Sequence, residues 1–321
     1  MALILSHQTA CEYWLSPYAD IRSGLVSLRK NGRELNFAPN ADLVHDYFSS
    51  MRKVHKLPFH TMTLNRNARH RIKGTKCHLS LGKIPPSSFY CLDEEVFVVS
   101  PELCFFQMAS MLNKVQLVKL GFDLCSKYSL DSQGYLYERI PVTTTERLEQ
   151  YGQSLSGFHG ARSALSTLSK VCSDSASPRE TELAMLLSLP YSWGGYNLSN
   201  PCLNVKILIP SSQRHIFTKN YYVCDLIWDD SIAVEYESDY WHTGVDRIAS
   251  DSARRSALSL LGVEVITVTN KQIKNISEMD RIGRLLARKL KRPFRLSRGY
   301  DYRSRQKELR QELLIDKGSW N

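Results

Sequence analysis

Three acidic residues interrupt two segments that otherwise have the composition of β-strands. The first segment, 221–228, reads Tyr-Tyr-Val-Cys-Asp-Leu-Ile-Trp, and the second, 231–237, reads Ser-Ile-Ala-Val-Glu-Tyr-Glu after an Asp-Asp pair. Two apolar runs joined by two aspartates predict a β-hairpin, in which Asp225, Glu235 and Glu237 occupy positions that are normally apolar. Carboxylates placed side by side repel one another and need a cation between them. A magnesium ion suits them, because it prefers hard oxygen ligands and holds few protein carboxylates.

The register of the hairpin decides whether these carboxylates meet. Glu235 and Glu237 lie two residues apart, so they point to the same face of a strand. With a two-residue loop, Asp225 would face away from Glu235. A three-residue loop instead pairs Trp228 with Ile232, and the same register then brings Asp225 opposite Glu235. A metal site requires the second register, and we predict it.

The hairpin is embedded in a regular order of helical and strand patterns. The polar linker before the first of these helices predicts a domain boundary, with an N-terminal domain over 1–172 and a C-terminal domain over 173–321. A basic tail after Arg292 predicts a last helix over 301–315, which either packs on the domain or stays free until it meets a partner. The remaining C-terminal elements are helices over 178–189, 246–261 and 271–290 and strands over 203–209, 221–228, 232–238 and 263–269.

The N-terminal part has a mixed pattern that predicts a smaller α+β domain. A short helix follows Ser6, and a second helix begins after Ser100, with Pro101 in its first turn. A helical pattern over 144–170 is interrupted by a glycine-rich break. Short strands are predicted over 57–64, 76–81 and 96–99.

The charge of the chain is unevenly distributed. The net charge is +10, but residues 51–83 contain nine Lys or Arg and no Asp or Glu, and residues 281–310 contain twelve basic and two acidic residues. Two basic blocks and an acidic remainder predict a polyanionic partner, since cations that neutralise phosphates release condensed counterions. A solvated basic surface is the alternative. A membrane partner is disfavoured because the 51–83 block has no amphipathic helical period.

The composition is typical of a folded intracellular protein. Hydrophobic residues make up 43% and charged residues 23% of the 321 residues, which excludes the disordered class. No apolar stretch is long enough to span a membrane, and the first residues lack the basic start of a signal peptide. The eight cysteines form no Cys-x-x-Cys pair, which favours buried thiols in a reducing compartment over a zinc ribbon. We therefore expect a cytoplasmic protein without membrane attachment.

These motifs and their order resemble the PD-(D/E)XK nuclease superfamily. The resemblance rests on Asp225 followed by Glu235-x-Glu237, on His242, and on the helix and strand that follow, which contain Asp251, Arg254, Arg255 and the run Leu261 to Thr269. It covers about residues 175–290. The branch that it resembles includes the very-short-patch-repair endonuclease and the nuclease-like C-terminal domains of AbiEi-type proteins from phage-abortive toxin–antitoxin systems. The resemblance implies an α/β fold with a restriction-endonuclease-like C-terminal domain, a mixed sheet flanked by helices.

The resemblance also implies a role for each candidate residue. Asp225 and Glu235 would bind Mg²⁺ or Mn²⁺, and Glu180 matches the helical acid that completes the site in many members. Glu237 stands where the superfamily more often has a lysine that positions the attacking water, and His242 matches a histidine near the scissile phosphate. Arg254 or Arg255 would stabilise charge on the phosphate. Outside the resemblance, the basic block over 51–83 adds Arg69, Arg71 and Lys73 as expected nucleic-acid contacts.

Several of these residues also have a purely structural interpretation. Ser177-Pro178-Arg179-Glu180 has the pattern of a capping box, so helix capping alone accounts for Glu180 without a catalytic role. Glu237 is also consistent with a solvated strand end and His242 with a loop histidine. Arg254 and Arg255 follow Asp251 by three and four residues, which is the spacing of a surface ion pair.

Two functions are consistent with this reading of the sequence. The first is an endonuclease that hydrolyses DNA phosphodiester bonds with Mg²⁺, in phage defence or a toxin–antitoxin system. The second is a catalytically degenerate regulator of the AbiEi antitoxin type, which binds nucleic acid without cutting it. The resemblance leaves room for a homodimer, since one nuclease domain often needs two copies to cut both strands, and for a cognate toxin or defence partner.

Overall fold

The computed structural model of the chain has two compact units, one ending at Val171 and the other beginning at Cys172. Each unit is a mixed α/β structure in which a mixed sheet is flanked by helices. The N-terminal unit is not the smaller one that we expected, because the stretch that ends at Val171 is longer than the one that begins at Cys172. Division into independent domains stays a prediction, since compactness does not show that either unit folds alone. The residues that the structure describes are 2–19, 38–51, 56–155, 158, 160–217, 219–237, 245–294 and 300–314, with only the backbone described for 245–250 and 300.

The N-terminal unit is organised around a five-stranded sheet. Its elements in the described residues are β1 (Leu3–Leu5), α1 (His7–Leu15), α2 (Ala41–Ser50), β2 (Phe59–Thr63), β3 (Thr75–Leu79), β4 (Phe89–Asp93), β5 (Val96–Val99), α3 (Pro101–Met108), α4 (Lys114–Leu124), β6 (Tyr128–Leu130), β7 (Leu136–Glu138), α5 (Thr145–Ser154) and α6 (Ala161–Leu168). The strand order is β3-β2-β1-β5-β4, and β6 and β7 form a separate hairpin. Strands β1 and β5 are parallel, as are β2 and β3.

The predicted helices that begin at a capping residue are confirmed, although Ser6 does not cap with its side chain. Helix α1 begins directly after Ser6, which makes no side-chain cap hydrogen bond. The Ser100 hydroxyl accepts the N–H of Leu103, and all eight residues of α3 are buried. The sequence pattern missed β1 and β4, because strands of three to five residues give too little periodicity to be recognised.

The C-terminal unit is organised around a four-stranded sheet of order β11-β10-β9-β8. Its elements are α7 (Pro178–Ser188), β8 (Cys202–Leu208), β9 (Tyr221–Trp228), β10 (Ile232–Glu237), α8 (Val245–Leu260), β11 (Glu264–Thr269), α9 (Asn270–Lys274), α10 (Ile276–Lys289) and α11 (Tyr300–Leu314). Strands β8, β9 and β10 form an antiparallel meander, and the chain then passes through α8 to β11, which pairs parallel to β10.

The C-terminal elements lie within one or two residues of their predicted bounds, with one exception. The helix predicted over 271–290 is two helices, because Asn275 ends α9 and caps α10. Its side-chain oxygen accepts the N–H groups of Ser277 and Glu278. No helix in the described residues combines the length and apolarity that crossing a membrane requires.

The last helix, α11, packs on the C-terminal unit, as one of the two alternatives for the basic tail predicts. The Gln306 side chain is fully buried and donates to Asp280 Oδ1 at 3.1 Å and to the Tyr196 hydroxyl at 3.3 Å. Arg303 forms an ion pair with Asp280 at 2.6 Å. The helix is therefore fixed by buried polar groups as well as by apolar packing.

We expect Gly194 to be essential for this docking. Gly194 has a φ of +89°, and a Cβ there would lie 2.3 Å from the Arg305 carbonyl oxygen of α11. Gly262 has a φ of +82° with nothing within 4 Å of its Cβ position, so it is the matched control. Gly262→Ala should lower the free energy of unfolding by about 1 kcal/mol through backbone strain alone, and Gly194→Ala by at least about 3 kcal/mol. Urea unfolding of both variants tests this, and equal losses would contradict it.

Candidate functional site

The hairpin that carries the carboxylates has the predicted three-residue loop. Trp228 of β9 pairs with Ile232 of β10, which confirms the register required for a shared site. Asp229 and Asp230 in the loop have φ values of 48° and 51°. Aspartate tolerates this left-handed conformation better than most residues, and the Asp-Asp pair therefore suits the turn.

The pairing of β9 with β10 ends one position before Asp225 and Glu235. The last paired residues of β9 and β10 are Leu226 and Val234, and the same register places Asp225 opposite Glu235 on the next pair. The N–H of Tyr236 donates to Oδ2 of Asp225 at 2.9 Å. A side-chain oxygen thus replaces a backbone carbonyl as the acceptor of a hydrogen bond between the two strands. Residues opposite each other on paired strands share a face. Continued by one position, this register would put both carboxylates on one face of the sheet, and the charge of Glu235 does act on Asp225.

A residue on the other neighbouring strand links this pair to helix α7. The pairs Leu203–Leu226 and Val205–Cys224 flank Asn204, so Asn204 lies opposite Asp225. Asn204 has a φ of 50°, and its side-chain amide donates to Glu180 Oε2 at 2.6 Å. Through this hydrogen bond, Asn204 connects Glu180 of α7 to the strand position opposite Asp225.

Glu180 forms half of the capping box that the sequence predicts, because Ser177 accepts its N–H while its own carboxylate accepts the N–H of Ala176 in place of that of Ser177. Its side chain is buried, and its carboxylate accepts the Ala176 N–H at 2.9 Å and the Ser177 hydroxyl at 2.8 Å. The Ser177 hydroxyl in turn accepts the Glu180 N–H. Glu180 therefore caps α7 and places a negative charge next to Asp225.

Arg254 of α8 is the cation that contacts the site. Its Nη2 forms an ion pair with Glu235 Oε1 and donates to the Val223 carbonyl at 2.5 Å. The Arg254 side chain is 31% exposed and that of Glu235 is 18% exposed. Arg254 Nε is buried and has no hydrogen-bond partner in the described part of the chain. The predicted alternative, a surface pair with Asp251, does not describe this arginine.

The environment of Asp225 favours its protonated form. Burial is the main cause that raises the pKa of Asp225 to about 7, and the charge of Glu180 adds to it. The hydrogen bond from Tyr236 lowers the pKa, Glu235 raises it, and Arg254 lowers it. A carboxyl group whose pKa is raised toward neutrality is suited to exchange a proton or to bind a cation.

The remaining predicted site residues lie at other positions of the chain. Glu237 is half-buried, two residues beyond Glu235 on β10, and Arg255 is exposed on α8. His242 lies outside the described residues. The predicted nucleic-acid contacts of the N-terminal unit are exposed and come before β3: Arg69, Arg71 and Lys73.

The donor set of the cluster fits a magnesium ion with few protein ligands. Within the described ranges, no group of three or more His, Cys, Asp or Glu side chains is arranged to hold a metal ion. Magnesium often uses only one or two carboxylates, with waters and substrate phosphates completing its coordination. Asp225 and Glu235 supply that number of hard oxygen ligands. Glu235 can bind a metal only when it leaves Arg254.

Two members of the cluster were not predicted in the roles that they have. Asn204 was not singled out, although an asparagine between Leu203 and Val205 in a strand is unusual and could have marked the site. The contact of Arg254 with Glu235 depends on how α8 crosses the sheet, which no local spacing reveals.

Comparison with known proteins adds no family assignment. No protein-family model matches the chain, and no curated protein or solved structure matches it. The interpretation of the site therefore depends on its own residues and geometry.

The raised pKa of Asp225 predicts a stability that depends on pH. Because this pKa is about 7 in the folded chain and 3.8 for an unperturbed aspartate, the folded state keeps a proton that the unfolded chain loses. Stability therefore falls as the pH rises from about 4 to about 7. Asp225→Asn removes this loss and should raise the free energy of unfolding above about pH 7 by at most about 4 kcal/mol, with no gain near pH 4.

Urea unfolding without divalent cations, at about pH 4.5 and about pH 8, measures this difference. Asp229→Asn, at an exposed loop position of the same hairpin, is the control and should give no pH-dependent gain. An equal effect of both substitutions would contradict the prediction.

Proposed function

We propose that the C-terminal unit is a restriction-endonuclease-like domain of the PD-(D/E)XK type that hydrolyses DNA phosphodiester bonds with Mg²⁺ or Mn²⁺. The observation that carries the proposal is the hairpin register, whose continuation by one position sets Asp225 opposite Glu235, together with the charges of Glu180 and Glu235 that act on Asp225. The succession of α7, the β9–β10 hairpin, α8 and β11 supports it, since the resemblance requires helix, hairpin, helix and strand in this order. The expected setting is phage defence or a toxin–antitoxin system in the cytoplasm.

Each residue of the cluster has a distinct part in this function. Asp225 and Glu235 would hold the metal ion, and Asp225 would release its proton when it does so. A bound Mg²⁺ would supply polarisation of the scissile phosphate and a lower pKa of water. Glu237, which follows Glu235 on the same face of β10, would orient the attacking water and accept its proton.

Arg254 connects nucleic-acid binding to metal binding. A phosphate oxygen is an acceptor of the same charge as Glu235, and guanidinium groups bind both carboxylates and phosphates. When Arg254 moves to a phosphate of the substrate, Glu235 loses its cation and becomes available to a metal. Nucleic acid and metal would then bind together more tightly than either binds alone.

A second candidate function is binding without cleavage. Glu237 stands where the superfamily more often has lysine, and Glu235 is already neutralised by Arg254. These two features favour a catalytically degenerate regulator of the AbiEi antitoxin type, which binds nucleic acid and recruits a cognate toxin or a second copy of itself.

Calorimetric titration of Mg²⁺, with and without a short DNA duplex, separates the two functions. We expect the wild type to give heat and strand cleavage with the duplex, and Glu235→Gln to lose the heat and at least about 100-fold of the cleavage rate. Glu264→Gln, on the neighbouring strand β11 and paired with Lys289, is the matched control and should keep both. Arg254→Gln should bind Mg²⁺ more tightly than the wild type when DNA is absent.

Denaturing gels of the same samples report cleavage directly. Duplex binding without Mg²⁺ heat and without cleavage would overturn the nuclease proposal in favour of the regulator. If the protein did not bind the duplex at all, the proposal of a DNA nuclease would be wrong.

The exposed basic residues of the N-terminal unit predict a steep salt dependence of DNA binding. Each phosphate contact contributes about 0.9 to the slope of log K against log salt. Replacing Arg69, Arg71 and Lys73 by Gln should therefore reduce the slope by about 2 to 3. Replacing three basic residues outside the block, Lys114, Lys271 and Lys274, is the control for net charge. Equal reductions in both variants would contradict a specific role of the basic block.

A further inference from the structure

One face of strands β8 and β9 extends from Asp225 to an exposed surface. Tyr221, Val223 and Asp225 alternate along β9, so their side chains share a face. Lys206 of β8 pairs with Val223. Leu208 pairs with Tyr221, so both residues of β8 lie on the same face as their partners. We call this part of the sheet the open strip, which is formed by Lys206, Leu208, Tyr221 and Val223.

The open strip is in contact with solvent, whereas the opposite face of the same strands is buried. Tyr222 and Cys224, which alternate with the strip residues of β9, belong to a cluster of buried core residues. On the strip itself, Tyr221 is 43% exposed and Leu208 is 72% exposed. Large apolar side chains that stay exposed next to one another indicate a binding surface.

A lysine lies over the exposed aromatic ring of this strip. The Nζ of Lys206 is 4.9 Å from the centroid of the Tyr221 ring, which is within the range of a cation–π contact. The contact places a positive charge next to an aromatic side chain that solvent still reaches. A nucleotide offers a partner to both groups, because its base stacks on an aromatic ring and its phosphate pairs with a cation.

The sequence around the open strip has the charge that a polyanion requires. Residues 183–224 contain no Asp or Glu. They contain Lys206, Arg214 and Lys219, and all three side chains are exposed. Arg214 belongs to the short helix Ser211–Ile216 in the connection from β8 to β9. An exposed aromatic ring among cations, in a stretch without acids, favours a nucleic-acid strand over a protein as the occupant of the strip.

The distance from the strip to Asp225 limits which nucleic acid can use both. Tyr221 and Asp225 are four residues apart on one strand. About 13 Å therefore separates them along the strand, a length that a few nucleotides span. Bases inside a duplex stack on one another, so only an unpaired base offers its face to Tyr221. A DNA strand that uses both sites is therefore unpaired within a few nucleotides of the phosphate at Asp225.

We propose that the substrate of the C-terminal unit is DNA with an unpaired segment beside the scissile phosphate, and that Tyr221 and Lys206 bind this segment. Tyr221 stacks on an unpaired base, and Lys206 and Arg214 contact phosphates of the same strand. These are binding residues, which take no part in breaking the phosphodiester bond. The inference rests on the proposed nuclease function and deepens it by naming the class of substrate.

Fluorescence anisotropy with labelled oligonucleotides in EDTA measures this binding without cleavage. The probes are a blunt DNA duplex and the same duplex with a tail of about ten unpaired thymidines. We expect the full chain to bind the tailed duplex at least about tenfold more tightly than the blunt one. Tyr221→Ala should remove this preference and leave the affinity for the blunt duplex unchanged, whereas Tyr221→Phe, which keeps the ring, should behave as the wild type. Tyr135→Ala, which removes an exposed tyrosine of the N-terminal unit, is the matched control.

The salt dependence and the cleavage assay complete the test. Lys206→Gln should reduce the slope of log K against log salt for the tailed duplex by about 0.7. Equal binding of both duplexes by the wild type, or equal losses in Tyr221→Ala and Tyr135→Ala, would overturn the inference, and cleavage with Mg²⁺ would then still support the nuclease. A preference for the tail without cleavage would support the binding site and overturn the nuclease. A dimer that Tyr221→Ala dissociates, with no change in DNA affinity, would assign the strip to a second copy of the chain and overturn the inference.

Discussion

The hydrogen bond from the Tyr236 N–H to the Asp225 carboxylate is the interaction on which the site depends. It forms at the point where β9 and β10 stop pairing, in the register that the three-residue loop of the hairpin sets. A buried carboxylate without a hydrogen-bond donor would cost several kcal/mol. The backbone of β10 supplies that donor, so the sheet itself holds the half-buried Asp225 in place in spite of the charge of Glu180.

Each negative charge around Asp225 is compensated by a fixed group, except that of Asp225 itself, which a proton neutralises. Glu180 is satisfied by Ala176, Ser177 and Asn204, which keep its negative charge fixed at the start of α7. Glu235 is neutralised by Arg254, so Asp225 is left without a cation of its own, and burial raises its pKa to about 7. A second cation, whether a proton or a metal ion, completes the balance.

The sequence predicted those features that depend on local patterns, and it missed those that depend on tertiary packing. Side chains alternate between the two faces of a strand, so a loop of two residues and a loop of three residues place Asp225 on opposite faces relative to Glu235. The three-residue loop could therefore be predicted from the requirement that both carboxylates share a face. Capping residues such as Ser100 and Ser177 fixed the starts of α3 and α7. The short strand β1 is defined by the neighbours that enclose it, and the position of Arg254 by the crossing of α8 over the sheet. Neither leaves a periodic signal in the chain.

The two candidate functions differ in whether the guanidinium group of Arg254 stays on Glu235 or moves to a phosphate of the nucleic acid. An ion pair that keeps contact with solvent contributes about 1 kcal/mol or less, so the partly exposed pair of Arg254 and Glu235 is not a strong barrier to exchange. The buried Nε of Arg254 has no acceptor in the described structure, and the present arrangement therefore leaves a donor unsatisfied. A phosphate can accept two parallel hydrogen bonds from arginine, which satisfies Nε together with a terminal nitrogen. Binding of a phosphate backbone would thus improve the hydrogen bonding of Arg254 and release Glu235 in the same movement.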